Sequence, residues 1–309
     1  MTPFFLPEAS TQARVEDGIF LGLLIMSGLV ILLVVGLVVG FSIRYRAGSN
    51  ARRGPLPAWV SHEVEIGWTS ATAFLFLFLF WWTATSELHL QLPPPTAFEI
   101  HVVAKQWMWK VEQPSGVREI NTLHAPMGLP VKLVMTSQDV IHSFSVPAFR
   151  LKQDVVPGRY TEMTFQATQA GTFELYCDQY CGLDHAHMIG KVIVMAPADY
   201  ARWAAAQPQE GGLAAQGEKI FVSSGCGGCH GDGAAVHAPS LNGLYGSTIP
   251  LSDGRFVTAN ETYIHDCILN PHKNVPAGYA PIMPSFENVL SEEQLVPLIA
   301  YIKSLKAKT

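Results

Sequence analysis

The sequence predicts a multidomain chain: two apolar helices come first, a β-sandwich or barrel follows, and a small all-α domain comes last. Three observations predict this order. Two long, almost uncharged runs lie near the N terminus, about a hundred residues of short β-rich segments follow, and a pattern of helical period lies near the C terminus. A chain of 309 residues has room for about two folded domains and a membrane anchor.

The two apolar runs are predicted to form a transmembrane hairpin. They cover about residues 18–43 and 66–86, and each can cross a hydrocarbon core of roughly 30 Å. A cleaved signal peptide is the alternative for the first run, but the residues before it include acids and the run is too long. Alternating Phe and Leu in the second run would also suit a strand, but both alternating sets are apolar and the run has span length.

Basic residues between the two runs predict their orientation. Arg44, Arg46, Arg52 and Arg53 lie there, and no acid occurs before Glu63. By the positive-inside rule this loop is cytoplasmic, so both termini face outward.

The chain as a whole carries 20 basic and 25 acidic residues, a net charge of −5. No segment has the dense basic field that nucleic-acid binding needs.

Composition and turn signals predict the domain boundaries. We place the N-terminal segment and hairpin at 1–97 and the β-domain at 98–197, where strand-like runs alternate with Pro- and Gly-containing turns. Residues 198–212, rich in Ala and Gly, are predicted to be a linker. The third domain covers 213–309, with an amphipathic helix at its end that Ser291 is expected to cap.

One loop late in the β-domain collects soft metal ligands. Cys177, Cys181, His185 and Met188 lie close together in the sequence. Thiolate, imidazole and thioether donors together suit copper better than any hard cation. A further ligand is expected from elsewhere in the domain, and His142 is the candidate. A disulfide between the two cysteines is the alternative. His187, between ligand positions, is not counted as a ligand.

Cys226-Gly-Gly-Cys229-His230 is a c-type haem attachment motif. We expect the two cysteines to hold one haem c covalently and His230 to be an axial ligand of its iron, with a disulfide as the alternative for the pair. Met283 follows as the expected second axial ligand. Other candidates for that position are His237, His265 and His272. The remaining cysteine, Cys267, is predicted to be a buried apolar side chain.

The segment around His142, the cysteine loop and Lys105-Gln-Trp107-Met-Trp109 together resemble subunit II of cytochrome c oxidase. The resemblance covers both predicted spans and the whole β-domain. It implies a cupredoxin-like fold and a binuclear copper-A centre. The third domain resembles class I cytochromes c, in which the backbone carbonyl of a residue matching Pro239 orients the proximal imidazole.

By this resemblance the copper-A ligands are two bridging thiolates, two imidazoles, a thioether and one main-chain carbonyl: Cys177, Cys181, His142, His185, Met188 and Gln179. One copper takes His142 and Met188, and the other takes His185 and the carbonyl of Gln179. Gln179 stands where many members have a glutamate that binds magnesium. An amide is a weaker magnesium ligand, so the resemblance does not carry a magnesium site over to this chain.

Two further roles are implied by the same resemblance. Trp107 matches the aromatic residue through which electrons enter copper-A, and a merely packed tryptophan is the alternative. Glu65, at the cytoplasmic mouth of the second span, matches the acid at a proton-uptake entrance, and a solvated helix cap is the alternative. Thr72 stands where the resemblance leads us to expect proline, so no kink is inferred there.

The resemblance implies an electron-entry subunit of a respiratory haem-copper oxygen reductase in the bacterial inner membrane, with both redox domains outside. Electrons would pass from an outside donor, a cytochrome c or a quinol-oxidising complex, through haem c and copper-A to the haem of subunit I. Oxygen would be reduced to water there with proton translocation, so no catalytic residue is expected in this chain. Other oxidase subunits are further expected partners. The alternatives are a copper-A nitric oxide reductase subunit and a membrane-tethered copper carrier.

Overall fold

The computed structural model describes residues 6–51, 54–55, 57–91, 97–207, 212–231, 234 and 236–306. It divides into two compact units, one formed by Gln12–Leu92 and the other by Met1–Thr11 together with Pro93–Thr309. The predicted fold class is confirmed: two apolar helices, a β-sandwich and a helical C-terminal region.

The first unit holds two long helices, α1 at Thr11–Arg44 and α2 at Ala58–Gln91. Their most apolar stretches have mean hydropathies of 2.9 and 1.5 and are not buried within the chain. Both helices are long and apolar enough to cross a membrane, and they include the predicted spans. The second run is therefore helical rather than extended. Arg52 and Arg53 of the predicted basic loop lie outside the described residues.

Within residues 97–196, all of which are described, the strands form two five-stranded sheets of order β3-β2-β1-β5-β8 and β4-β10-β9-β6-β7. The strands are β1 Phe98–Lys105, β2 Met108–Glu112, β3 Arg118–Ile120, β4 Thr122–Pro126, β5 Pro130–Ser137, β6 His142–Val146, β7 Leu151–Val155, β8 Thr161–Gln166, β9 Gly171–Cys177 and β10 Ile189–Met195. Fully buried apolar side chains such as Ile100, Leu133, Phe144 and Leu175 form the core. This arrangement is a sandwich of two packed sheets.

The segment before α1 packs on the β-domain. The amide of Ala9 donates to the carbonyl of Ala148 at 3.0 Å, and the hydroxyl of Ser10 donates to that of Phe149 at 2.9 Å. Ala9 is fully buried in the same apolar core. The sequence reasoning contained no signal for this contact, because the paired residues lie far apart in the chain.

A helix lies in the segment that we predicted as a linker. Helix α3, Pro197–Ala206, begins with a proline, which is favourable in a first turn. The Tyr200 hydroxyl donates to the side-chain carbonyl of Gln113 at 3.0 Å. Trp203 stacks on His124 with ring centroids 4.0 Å apart. The two aromatics, three residues apart on one helix face, anchor α3 to the β-domain, and residues 208–211 lie outside the described part.

The C-terminal region is mainly helical and includes a short hairpin. Its elements are α4 Leu213–Ser223, α5 Gly227–His230, β11 Thr248–Pro250, β12 Phe256–Thr258, α6 Glu261–Leu269 and α7 Glu292–Ser304. Ser291 caps α7 as predicted, in a capping box with Gln294. The β11–β12 hairpin was not expected in a domain predicted to be all-α.

Helices α4 and α7 pack very closely, and a glycine makes this possible. A Cβ on Gly217 would lie 1.9 Å from the carbonyl oxygen of Pro297 and 2.7 Å from Cβ of Tyr301. Since no side chain fits in that space, only glycine allows these two backbones to approach. The packed pair forms the frame of the C-terminal domain.

Candidate metal centre and haem pocket

The sulfur and imidazole donors predicted from the sequence converge at one end of the second sheet. Antiparallel β6 and β9 place His142 and Cys177 at the same end, and the loop between β9 and β10 carries the other donors. Sγ of Cys177 lies 3.7 Å from Sγ of Cys181 and 3.9 Å from Nδ1 of His142. Sγ of Cys181 lies 3.4 Å from Nδ1 of His185 and 3.9 Å from Sδ of Met188.

These donors are mostly removed from water. His142 is fully buried, Met188 is 1% exposed, and the two cysteines are 8% and 3% exposed. The carbonyl of Gln179 lies 3.3 Å from Sγ of Cys177, although the Gln179 side chain is exposed. All five cysteines, each of which the structure describes, are free.

The donor set fits copper. Ligand atoms of His142, Cys177 and Cys181 all lie within 4.8 Å of one another. Soft sulfur and imidazole donors of this kind select copper over magnesium or calcium. In addition, an imidazole lies beside each sulfur, His142 beside Cys177 and His185 beside Cys181. A buried cluster of this kind is therefore a site that a soft metal can complete.

The two thiols differ in acidity. Burial raises the pKa of Cys177, but hydrogen bonds with His142 and main-chain amides outweigh it and bring that pKa to about 6. Burial and the negative charge at Cys177 raise the pKa of Cys181 to about 12. Neighbouring thiols do not ionise independently, so a metal that binds both thiolates must displace a proton from Cys181.

Asp139 orients His142. Its Oδ1 accepts from Nε2 of His142 at 2.8 Å, and its Oδ2 accepts from the amide of Gln106 at 2.7 Å. The outer imidazole nitrogen is thus occupied, which turns Nδ1 towards Cys177. Carboxylates commonly hold metal-binding histidines in this way. The sequence analysis missed Asp139, although a carboxylate three residues before a predicted ligand is a signal that could have found it.

Trp107 contacts the cysteine loop. Its indole N–H donates to the carbonyl of Cys181 at 3.3 Å, and the side-chain amide of Gln106 donates to the same oxygen at 2.7 Å. A Cβ on Gly182 would lie 2.9 Å from Nε2 of Gln106 and 3.2 Å from the Trp107 ring, and Gly182 has φ +119°. The β1–β2 turn therefore lies directly against the loop that carries the predicted ligands.

Glu65 lies in a different unit from the donor cluster. It is exposed and lies in the N-terminal part of α2. Its predicted role in proton uptake remains a prediction.

The haem attachment motif lies at the wall of an apolar cavity of about 510 Å³. Cys226, Cys229, His230 and Met283 all line it. Nδ1 of His230 bonds to the carbonyl of Pro239 at 2.9 Å, which orients the imidazole and leaves Nε2 for a metal. A cavity of this size and lining suits a large apolar cofactor.

The structure separates the candidates for the second axial position. Met283 and His237 line the cavity, whereas His265 and His272 do not. His237 stacks on Tyr279 with ring centroids 4.7 Å apart. His265 is only 2% exposed and is hydrogen bonded elsewhere.

Cys267 also lines this cavity. It is half-buried rather than fully buried, and burial raises its pKa to about 11.

Known families match two segments of the chain. Residues 97–196 match the family described as cytochrome c oxidase subunit II, periplasmic domain, and residues 214–306 match the cytochrome c family.

The alternative cytochrome c oxidase subunit 2 of Bradyrhizobium diazoefficiens is 34% identical over 151 residues, which are 39% of this chain and 54% of that protein. The chain thus spans about half the length of this relative. The probable cytochrome c oxidase subunit 2 of Rickettsia bellii is 29% identical over 226 residues, 65% of this chain and 81% of that protein.

A crystal structure of the periplasmic domain of subunit II of cytochrome oxidase from Bradyrhizobium japonicum is similar as well. Its sequence is 29% identical, and the match covers 37% of this chain and 95% of that chain with a TM-score of 0.36. At this TM-score the likeness adds nothing to the sequence matches.

Proposed function

Because the chain joins a periplasmic domain of the cytochrome c oxidase subunit II family to a cytochrome c domain, we propose that it is the electron-entry subunit of a respiratory haem-copper oxygen reductase. Subunit I and further oxidase subunits are its partners, and subunit I reduces oxygen to water with proton translocation. The donor is an outside cytochrome c or a quinol-oxidising complex. One observation carries the proposal: two buried thiols, each flanked by an imidazole, lie 3.7 Å apart in such a domain.

This arrangement supports a pair of coppers rather than one. The donors lie on both sides of the sulfur pair, with His142 beside Cys177 and both His185 and Met188 beside Cys181. When bound, a bridged copper pair and haem c supply one-electron transfer. The protein keeps the ligands fixed and excludes water, so that a change of charge moves few atoms.

Individual residues have distinct tasks in this proposal. Asp139 fixes the imidazole of His142, and the carbonyl of Pro239 fixes that of His230. Trp107 is the point of electron entry, because its indole is hydrogen bonded to the carbonyl of Cys181. His230 and Met283 would hold the haem iron, since both line the cavity.

Localisation follows from the same proposal. We place both redox domains on the outer face of the bacterial inner membrane. Residues just before α1 bind the β-domain, which comes after α2. Two chain segments that pair with each other lie on one side of the membrane, which supports a two-pass hairpin between them.

Spectroscopy and turnover of the purified complex test the proposal. We expect two coppers for each covalently bound haem, and an electron paramagnetic resonance signal of the oxidised protein spread over two copper nuclei. We also expect consumption of oxygen. Zinc in the site, a single exchangeable copper, or turnover of nitric oxide in preference to oxygen would overturn it.

A further inference from the structure

The cytochrome c domain covers one face of the β-sandwich. Val103, Val134 and Tyr160, which point away from the core between the sheets, share an apolar cluster with Leu295 and Ile299 of α7. Val103 is 5% and Val134 1% exposed. In a sandwich, the residues on the outward face of each strand are usually polar and solvated, so burial of β1 and β5 on both faces indicates a built-in binding surface. We call this surface, formed by Glu99, Val103, Lys110, Val134 and Tyr160, the docking face.

A lysine joins the two domains at one edge of this face. Nζ of Lys303, in α7, donates to Oε1 of Glu99 in β1 at 2.9 Å and to Oε1 of Glu261 in α6 at 2.7 Å. The Lys303 side chain is 19% exposed and that of Glu261 is 5% exposed. The Tyr245 hydroxyl donates to the same oxygen of Glu261 at 2.6 Å. Lys303 thus bridges one carboxylate from each domain.

Other polar contacts lie across the same face. Nζ of Lys110, in β2, pairs with the carboxylate of Glu293 at the start of α7. Tyr160 meets His265 of α6 in an edge-to-face contact with centroids 5.5 Å apart. Lys110 is in the strand that follows the Trp107 turn, so α7 begins near the proposed point of electron entry.

From these contacts we propose that the cytochrome c domain works in a docked position on the docking face, and that Lys303 is the positioning residue that sets this position for electron transfer between haem and copper. The inference rests on the proposed function. Paired charges in a desolvated interface fix one arrangement against its alternatives. Electron transfer slows steeply with distance, so one fixed arrangement gives one rate, whereas a domain held only by its chain would sample many.

Zero-length carbodiimide crosslinking of the full-length protein tests the docked position without any activity assay. We expect an amide between Lys110 and Glu293 in the wild type, identified by mass spectrometry. In Lys303→Gln the carboxylates of Glu99 and Glu261 lose the cation between them, and Lys132 stays only on the far side of Glu99, 3.8 Å from its Oε2. The yield of the 110–293 crosslink should then fall by at least about threefold. Lys303→Arg should keep the wild-type yield.

Lys273 provides the matched control. It pairs with Asp266 within the cytochrome c domain at 2.7 Å, away from the docking face. Lys273→Gln should leave the yield of the 110–293 crosslink unchanged. In Lys303→Gln, formation of the crosslink between Lys273 and Asp266 reports that the cytochrome c domain is folded. If the wild type forms no 110–293 crosslink, or Lys303→Gln forms it at wild-type yield with the 273–266 crosslink intact, the docking inference is wrong.

The rate of electron transfer from haem to copper after light-driven reduction gives a second readout. It should fall at least about threefold in Lys303→Gln, with the haem potential and the copper spectrum unchanged. An unchanged rate overturns the positioning role. Failure of the proposed function is a separate result, because absence of the two-copper signal in the wild type would leave the crosslinks untouched.

Discussion

Asp139 shows how much of the copper site depends on a residue that is not itself a ligand. Its carboxylate bonds to His142 and to the amide of Gln106, so it ties the imidazole to the turn that carries Trp107. Removing such a partner leaves the ligand in place but frees its ring to rotate. Removing the carboxylate should therefore lower the affinity for metal more than it lowers the stability of the fold.

We expect Asp139→Ala to weaken copper binding about 10–100-fold, as measured by competition with a copper chelator. Asp184→Ala is the matched control, because Asp184 also bonds to a histidine of this region, His187, at 2.6 Å, and His187 is not a predicted ligand. Equal affinities for the wild type and Asp139→Ala would refute the orienting role.

Gly182 is the second residue whose role depends on local geometry. Its φ of +119° is unfavourable for other residues, and a Cβ there would crowd Gln106 and Trp107. We expect Gly182→Ala to lower the free energy of unfolding by about 1–3 kcal/mol and to change the Trp107 fluorescence. Denaturant unfolding monitored by fluorescence measures both effects.

Gly158→Ala separates strain from crowding. Gly158 also has a positive φ, +73°, but no atom lies within 4 Å of the position of its Cβ. This variant should lower the free energy of unfolding through backbone strain alone and leave the Trp107 fluorescence unchanged. Were both variants equally destabilised with identical fluorescence, the close contact between turn and loop would have no role.

At the scale of elements, the close crossing of α4 and α7 should contribute strongly to the stability of the C-terminal domain. Since a Cβ on Gly217 would overlap the Pro297 carbonyl, Gly217→Ala should destabilise the domain by about 3 kcal/mol. Thermal unfolding followed by haem absorbance measures it. Gly228→Ala, in a helix with open space around it, should change the melting temperature far less, and a reversed order would contradict this packing.

The elements also show where sequence reasoning succeeds and where it fails. Cys177, His185 and Met188 are close in the chain, so their spacing alone predicts a shared site. Helix α3 was missed because its anchoring partners, Gln113 and His124, lie in distant strands. Local periodicity predicts which residues can share a face, but not which remote surface that face will meet.

At the scale of the whole molecule, the ion cluster between the β-domain and the C-terminal domain should make their docking depend on pH. Burial raises the pKa of Glu99, but a hydrogen bond with His101 and the charge of Lys303 outweigh it. Burial likewise raises the pKa of Glu261, but Lys303 and the Tyr245 hydroxyl outweigh it. Both carboxyl pKa values therefore lie below the ordinary 4.5. Burial lowers the pKa of Lys303, but the same two carboxylates raise it above 10.5. Lys303 and Glu261 lie in the same domain, so only the Glu99–Lys303 pair links docking to pH. The depressed pKa of Glu99 stabilises docking above pH 4.5, and that effect is lost as the pH falls further. The raised lysine pKa stabilises docking below pH 10.5 and loses it at higher pH.

We therefore expect the rate of electron transfer from haem to copper, measured at each pH, to decline below about pH 4.5. Glu99→Gln should flatten that decline. Glu162→Gln, which removes an exposed neighbouring carboxylate paired with Lys132, should not. A decline that is identical in all three proteins would assign the acid sensitivity to other groups.

The sequence predicted the fold class and the donor-rich loop after β9, because each depends on residues near one another in the chain. It did not predict the docking face. Glu99 and Lys303 belong to different domains, and β1 resembles a strand with one solvated face until its partner is known. The all-α expectation missed the β11–β12 hairpin because its strands are too short to show a pattern.

The pairing of Ala9 and Ser10 with the β-domain bears on how soluble fragments of this protein should be made. A fragment that starts at β1 would expose the carbonyls of Ala148 and Phe149 and leave a hole where Ala9 sits. A peptide of the first ten residues, fused through a flexible spacer in place of the two helices, would refill that hole. Any water-soluble version intended for spectroscopy should therefore retain the extreme N terminus rather than begin at the first strand.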